Sequence, residues 1–388
     1  MAALPALQRV VARAGWVTIA VVAVVAAAVV GALIAATFAS GVGSGPGLPP
    51  QAMAGQPVVQ AVAVGADRAK VVVVPHRPGP NLVWVDGEGY RVGTERDQLV
   101  PAERRPGAPG GWAVLDLRSG ASMLWVEHAG HRASIALDAE PVVPELPGIT
   151  TADGPECLSA VVGAVMAGAA PLGRCPDQAL AAADRRALRG MIRSIADRHV
   201  PGIRLVGGDS PRADAAEALV RRQAHGLGLA VDGPPRRLDA RVVVGDWSTA
   251  EQALIQQTRD PAGSGVYLAP WLANGTLLGY SSGAVVVLNY DTTQGPAAEY
   301  VADLDRFATR KLASPAGFAA WLAASGRPAP AGPARLYAAL AGFDLMGADP
   351  SMRAMNGMNG MQRSVGGATG GWIPNGRMTA VSKPLNTS

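Results

Sequence analysis

Aromatic side chains are scarce, at 5% of the 388 residues. This argues against a core or a ligand site built mainly from large stacked rings. Cysteine is limited to Cys157 and Cys175. Two cysteines exclude a disulfide-dense mini-protein, and the lack of any CxxC or HxxxH spacing argues against a cysteine zinc site. Lysine occurs only at Lys70, Lys311 and Lys383. Basic runs stop at two residues, as at Arg221-Arg222 and Arg236-Arg237, so the clustered basic stripe that nucleic-acid binding needs is missing. Charged residues are 16%, against about 25% in an average soluble domain. No P-loop, HExxH or dinucleotide fingerprint occurs, and no two acids are paired persuasively for general acid–base work.

Glycine and proline are plentiful instead, at 48 and 31 residues. The mean hydropathy is +0.18, which excludes a chain disordered throughout. Part of that apolar excess is local, because no charged side chain falls between Arg13 and Asp67. Residues 16–38 read WVTIAVVAVVAAAVVGALIAATF, long enough to cross a hydrocarbon core. Arg9 and Arg13 on its N-terminal side predict a cytoplasmic stub and an extracytoplasmic body. A signal peptide cleaved near Ala36-Thr37-Phe38-Ala39-Ser40 is the alternative, although its apolar region would be shorter. The net charge of +4 includes Arg9 and Arg13, so the rest of the chain is close to balance. An oxidising exterior favours a Cys157–Cys175 disulfide.

The expected order is a stub and anchor over 1–40, a Gly/Pro linker over 41–56, a small all-β sandwich over 57–140, an α/β domain over 156–345, and a Met/Gly-rich tail over 346–388. Within 57–140, short strands are predicted at 58–64, 70–75, 81–86, 111–117, 122–128 and 133–137. Beyond Cys157 the periodicity becomes helical, and strands at 202–206, 239–244, 265–269 and 284–288 then alternate with helices at 211–225, 250–258, 297–307 and 315–324. That alternation predicts a doubly wound, mainly parallel sheet.

In such sheets, ligands bind beyond the carboxyl ends of the strands. Asp209, Ser210, Asp246, Trp247, Ser248, Thr249, Tyr290 and Asp291 fall at those ends, with Trp271 nearby. Ser210, Ser248 and Thr249 are equally well placed to cap helices. The three acids disfavour an anion, so an amine, a hydroxylated solute or a partner protein suits the crevice better. Gly279-Tyr280-Ser281-Ser282-Gly283 matches GxSxG, but it precedes a strand, where a hydrolase serine would follow one.

The segments Leu205-Val206-Gly207-Gly208-Asp209-Ser210 and Ala284-Val285-Val286-Val287-Leu288-Asn289-Tyr290-Asp291, with the helix after them and Phe318-Ala319-Ala320-Trp321-Leu322, carry a resemblance. Residues 202–324 resemble the C-terminal part of a type I periplasmic (ABC-type) solute-binding protein. This implies a non-catalytic binder of a small solute or an envelope partner. It covers about a third of the chain, and residues 157–345 are too few for two complete lobes.

Val74-Pro75-His76-Arg77-Pro78-Gly79-Pro80-Asn81 is similar to the opening of extracytoplasmic β-sandwich modules of bacterial copper-handling proteins. Met352, Met355, Met358 and Met361 recur every third residue, and thioether sulfur suits Cu(I). Copper is therefore the candidate cofactor, with those four methionines as its ligands. The alternative is an apolar low-complexity tail. A further reading is an accessory structural subunit of a membrane complex.

Overall fold

The computed structural model describes residues 56–141, 145–170, 172–234, 236–259, 263–279, 284–341, 372–373 and 376–386. The anchor over 16–38 and Met352, Met355, Met358 and Met361 lie outside these residues. Among the described residues, no helix is long and apolar enough to cross a membrane.

Among the described residues, the β half has nine strands: β1 (Val58–Val64), β2 (Asp67–Val74), β3 (Gly79–Val85), β4 (Arg91–Glu95), β5 (Gln98–Pro101), β6 (Glu103–Arg104), β7 (Gly111–Leu117), β8 (Gly120–His128) and β9 (His131–Ala139). They form a five-stranded sheet, β1-β2-β3-β7-β6, and a four-stranded sheet, β5-β4-β8-β9, with antiparallel pairing throughout. β-branched residues dominate because they pack well on a pleated surface.

The side-chain alternation of β2 and β3 explains how the two halves join. Val71, Val73, Val83 and Val85 point into the sandwich core with Leu124, Val126 and Ile135. Their neighbours Val72, Val74, Leu82 and Trp84 belong to the core of the α/β half. The five-stranded sheet is thus buried on both faces. For that reason 71–74 and 82–85 are unbroken apolar runs, where a half-exposed strand would alternate with polar residues.

The turn into β3 is held by Asn81. Its Oδ1 accepts from the backbone N–H of His76 (2.7 Å) and Arg77 (3.2 Å), and its Nδ2 donates to the carbonyls of Arg77 and Gly79. His76 is fully buried. Its Nε2 faces the Asp138 N–H (3.3 Å), which leaves Nδ1 to donate to the Gln56 carbonyl (2.9 Å). Both ring nitrogens are therefore engaged within the fold.

The α/β half contains β10 (Gly202–Val206), β11 (Ala230–Val231), β12 (Ala240–Val243), β13 (Val266–Leu268), β14 (Val285–Leu288), β15 (Arg335–Ala341) and β16 (Gly376–Ala380). The sheet order is β11-β10-β12-β13-β14-β15-β16. The pairs from β11 to β14 are parallel, and β15 and β16 add antiparallel. The sheet is therefore mixed. Its helices are α1 (Gly154–Met166), α2 (Ala182–Asp197), α3 (Pro211–Gly226), α4 (Trp247–Arg259), α5 (Gly275–Gly279), α6 (Gly295–Phe307) and α7 (Pro315–Ala324). The direction of strand addition reverses at β10, and right-handed crossovers then place α3 and α4 on opposite faces.

The stretch expected as a tail over 346–388 re-enters the fold at its end. Strand β16 pairs with β15 from Tyr337↔Ala380 to Ala341↔Gly376. Trp372 is 1% exposed, packed edge-on against Tyr300 and Phe318. Burying so large a ring secures this segment to the core.

Helices α1 and α7 are apolar on nearly all sides, and they cross at a pair of glycines. A Cβ on Gly163 would lie 2.2 Å from the Gly317 carbonyl oxygen. Beside this crossing the Ser159 and Ser314 hydroxyls are bonded at 2.5 Å, and Ser314 also caps α7 by accepting from the Gly317 N–H. Gly163→Ala is expected to lose about 1–3 kcal/mol through overpacking, despite the roughly 1 kcal/mol that alanine gains over glycine in a helix. Urea unfolding measures this, with Gly226→Ala, whose Cβ would meet nothing within 4 Å, as the neutral or stabilising control. Equal stability of the two variants would refute the close crossing.

Candidate functional site

The loops after β10 and β12 are closed against each other. The Gly207-Gly208 turn after β10 packs directly on Gly245 after β12: a Cβ on Gly245 would stand 2.4 Å from the Gly207 carbonyl oxygen. Loop 105–110 of the β half then covers the neighbouring strand ends. The Gly107 N–H donates to Glu251 Oε2 on α4 (2.7 Å), and Arg104 pairs with the other oxygen of that carboxylate. The Gly107 carbonyl accepts from Asn274 Nδ2 (3.2 Å). Trp84 and Trp112 hold the loop from the other side, both donating to the Pro109 carbonyl at 2.8 and 2.9 Å.

The residues singled out from sequence separate accordingly. Ser210 caps α3 by accepting from the Ala213 N–H, and Asp246 accepts from the Thr249 N–H at 2.6 Å. Asp291 accepts from the Thr293 backbone and hydroxyl and from Gln294. Asp209 is exposed beside the closed turn, and Ser248 and Thr249 are half-buried in the first turn of α4. Trp247 and Trp271 lock the strand ends together: Trp247 Nε1 donates to the Trp271 carbonyl (3.2 Å), and Trp271 Nε1 to the Gly245 carbonyl (2.8 Å). Of all these residues, only Trp271 and Tyr290 line the cavity described next. Residues 280–283, which hold most of the GxSxG match, lie outside the described residues.

The open volume is displaced toward β13 and β14. A cavity of about 790 Å³ lies beyond their carboxyl ends, bounded by α1, the disulfide loop, the first turns of α2, and α7. Trp271, Tyr290 and Phe318 supply aromatic surface, and alanines and prolines are 12 of the other 25 lining residues. The Cys157–Cys175 disulfide ties the wall segment 172–181 to α1, and Cys175 itself reaches the cavity. A pocket of this size with few polar groups suits a small organic molecule.

The charged groups of this cavity are not among the candidates read from sequence. Arg212, at the start of α3, is 3% exposed and Glu156, on α1, is 1% exposed. They form a two-pronged pair, Nη1–Oε1 2.7 Å and Nη2–Oε2 2.6 Å, with Asp153 at 3.6 Å. The guanidinium lies 4.6 Å from the centre of the Trp271 ring. Burial opposes its charge, but Glu156, Asp153 and Asp184 together hold it above its ordinary pKa. Asp184, in the first turn of α2, also lines the cavity. The signal available in sequence was a proline-led helix with an arginine directly after the proline, but that partner for Glu156 is 56 positions away.

Burial, reinforced by Glu156, pushes the Asp153 carboxyl up to about 7, and burial pushes Asp184 up to about 6. Both acids therefore bind protons more tightly folded than unfolded. The stability they confer is complete below the ordinary value of 3.8 and is lost as pH rises through 6 to 7. Asp153→Asn is expected to flatten the fall in melting temperature between pH 5 and pH 7.5. An unchanged slope would show that Asp153 is not its source.

Among the described residues, no group of three His, Cys, Asp or Glu is placed to hold a metal.

No family model matches the chain, and no curated protein matches it. Solved structures similar to it include substrate-binding proteins of ABC transporters. A branched chain amino acid ABC transporter protein from Thermus thermophilus, with bound valine, is 12% identical over 38% of this chain and 45% of its own, at a TM-score of 0.32. A substrate-binding protein from Desulfitobacterium hafniense, in complex with Leu, is 11% identical over 36% and 48%, at 0.26. A solute binding protein from Rhodopseudomonas palustris BisB5, in complex with 3,4-dihydroxy benzoic acid, is 14% identical over 37% and 46%, at 0.30. The chain spans about half the length of these proteins.

Proposed function

We propose that the chain is a non-catalytic extracytoplasmic binding protein, held to the membrane by residues 16–38, that takes a small solute in the cavity beyond β13 and β14. The observation that carries this reading is the cavity itself, about 790 Å³ with mainly apolar walls and a few buried charges. Its position at the carboxyl ends of parallel strands is where open α/β sheets bind ligands. The Cys157–Cys175 disulfide supports an oxidising compartment.

The test is a screen of small molecules against the purified chain by thermal shift. A binder is expected to raise the melting temperature of the wild type but not of Ala319→Trp. Ala319 is an exposed residue of the cavity lining, where an indole would fill the space without disturbing the core. Equal shifts in the two proteins would place binding elsewhere, and the absence of any shift across a broad screen would overturn the reading.

A further inference from the structure

We propose that the cavity selects a compact organic amine with an apolar body, its ammonium set against the Asp184 carboxylate. This inference rests on the solute-binding reading above.

Asp184 lines the cavity and has no hydrogen-bond or ion-pair partner among the described residues. The charges around it are unequal. Asp153, Glu156 and Asp184 stand against Arg212 alone. Arg212 has both terminal nitrogens on Glu156 and its face on Trp271. The cluster therefore carries a surplus of negative charge that the protein does not balance internally, and burial makes such a surplus costly. A ligand cation would balance it.

Burial pushes Asp184 up to about 6, so at neutral pH it remains mostly ionised and able to bind an ammonium. Glu156 from α1, Arg212 from α3 and Tyr290 after β14 are the other ionisable groups that act on it or feel its charge. The aromatic faces of Trp271, Tyr290 and Phe318 suit both an apolar body and a nearby cation. A ligand carboxylate would meet the opposite conditions. It would find no buried unpaired cation: Arg212 is already paired, Arg327 is stacked on Trp321 and paired with Glu299, and Arg174, the third arginine of the lining, is exposed.

The experiment titrates the full chain by calorimetry with primary amines from cyclohexylamine to tryptamine. Matched controls are 2-phenylethylamine, 2-phenylethanol, 3-phenylpropionate and phenylalanine. At least one amine is expected to bind ten-fold or more tightly than the alcohol, the acid and the amino acid, and Asp184→Asn is expected to weaken it at least ten-fold. Removing an unpaired, half-buried charge should leave Asp184→Asn as stable as the wild type or more so, and its melting temperature checks this. Tighter binding of the alcohol, the acid or phenylalanine would overturn the amine assignment while leaving the cavity a solute site. Unchanged amine affinity in Asp184→Asn would do the same. No binding by any of the four chemical classes would overturn both.

Discussion

Arg212→Met is expected to destabilise the folded chain by about 3–5 kcal/mol at pH 7.5, the range for removing one partner of a buried ion pair. Methionine matches much of the arginine stem and can still pack against Trp271, so lost volume contributes little. What remains is Glu156, 1% exposed, without the guanidinium that bonded both its oxygens, and beside Asp153 and Asp184. The pair need not itself be the cause of stability, because two apolar residues of similar size often replace a buried ion pair at no loss. The double variant Glu156→Leu with Arg212→Met is therefore expected to recover most of what the single variant loses. Urea unfolding of wild type, both single variants and the double variant checks this. A small loss in Arg212→Met, or a double variant worse than the single, would contradict the account.

Replacing the two cysteines together, Cys157→Ala with Cys175→Ala, is expected to remove about 3 kcal/mol, since the bridge closes a loop across 18 positions. The loss in the chain-entropy account comes from a freer unfolded state. Wild type under a thiol reductant should then unfold at the same urea concentration as the double variant. This bridge also positions one side of the proposed site, because segment 172–181 is a cavity wall fastened to α1 at Cys175. The variant should thus bind any identified solute more weakly even at temperatures where it is fully folded. Undiminished affinity would show that the wall holds its shape without the bridge.

The elements with clear local signals were legible in sequence. Helix α3 is announced by Ser210-Pro211 and α7 by Ser314-Pro315, a capping residue followed by the proline favoured in the first turn. Strands β12 and β14 are short β-branched runs. Strand β15 was not legible, since RLYAALA is made largely of helix formers, and it is extended because Leu288 to Val285 pair with Arg335 to Ala338. Strand β16 has no apolar pattern of its own and depends on β15. Of the residues expected at strand ends, Tyr290 lines the cavity, as does Trp271 nearby. The side chains of Ser210, Asp246 and Asp291 accept from local backbone N–H groups. Glu156, Asp184 and Arg212 come from three different helices, and no short-range pattern joins them.

The five-stranded sheet with a core on each face makes the two halves of the described chain thermodynamically inseparable. A truncation that removed the strands would leave Glu251 without Gly107 and Arg104, and would expose the apolar surface that Trp84 and Val72 now cover. Melting should accordingly proceed as one cooperative transition, with equal calorimetric and van't Hoff enthalpies. What reads along the chain as a module followed by a domain is, in energetic terms, a single foldon.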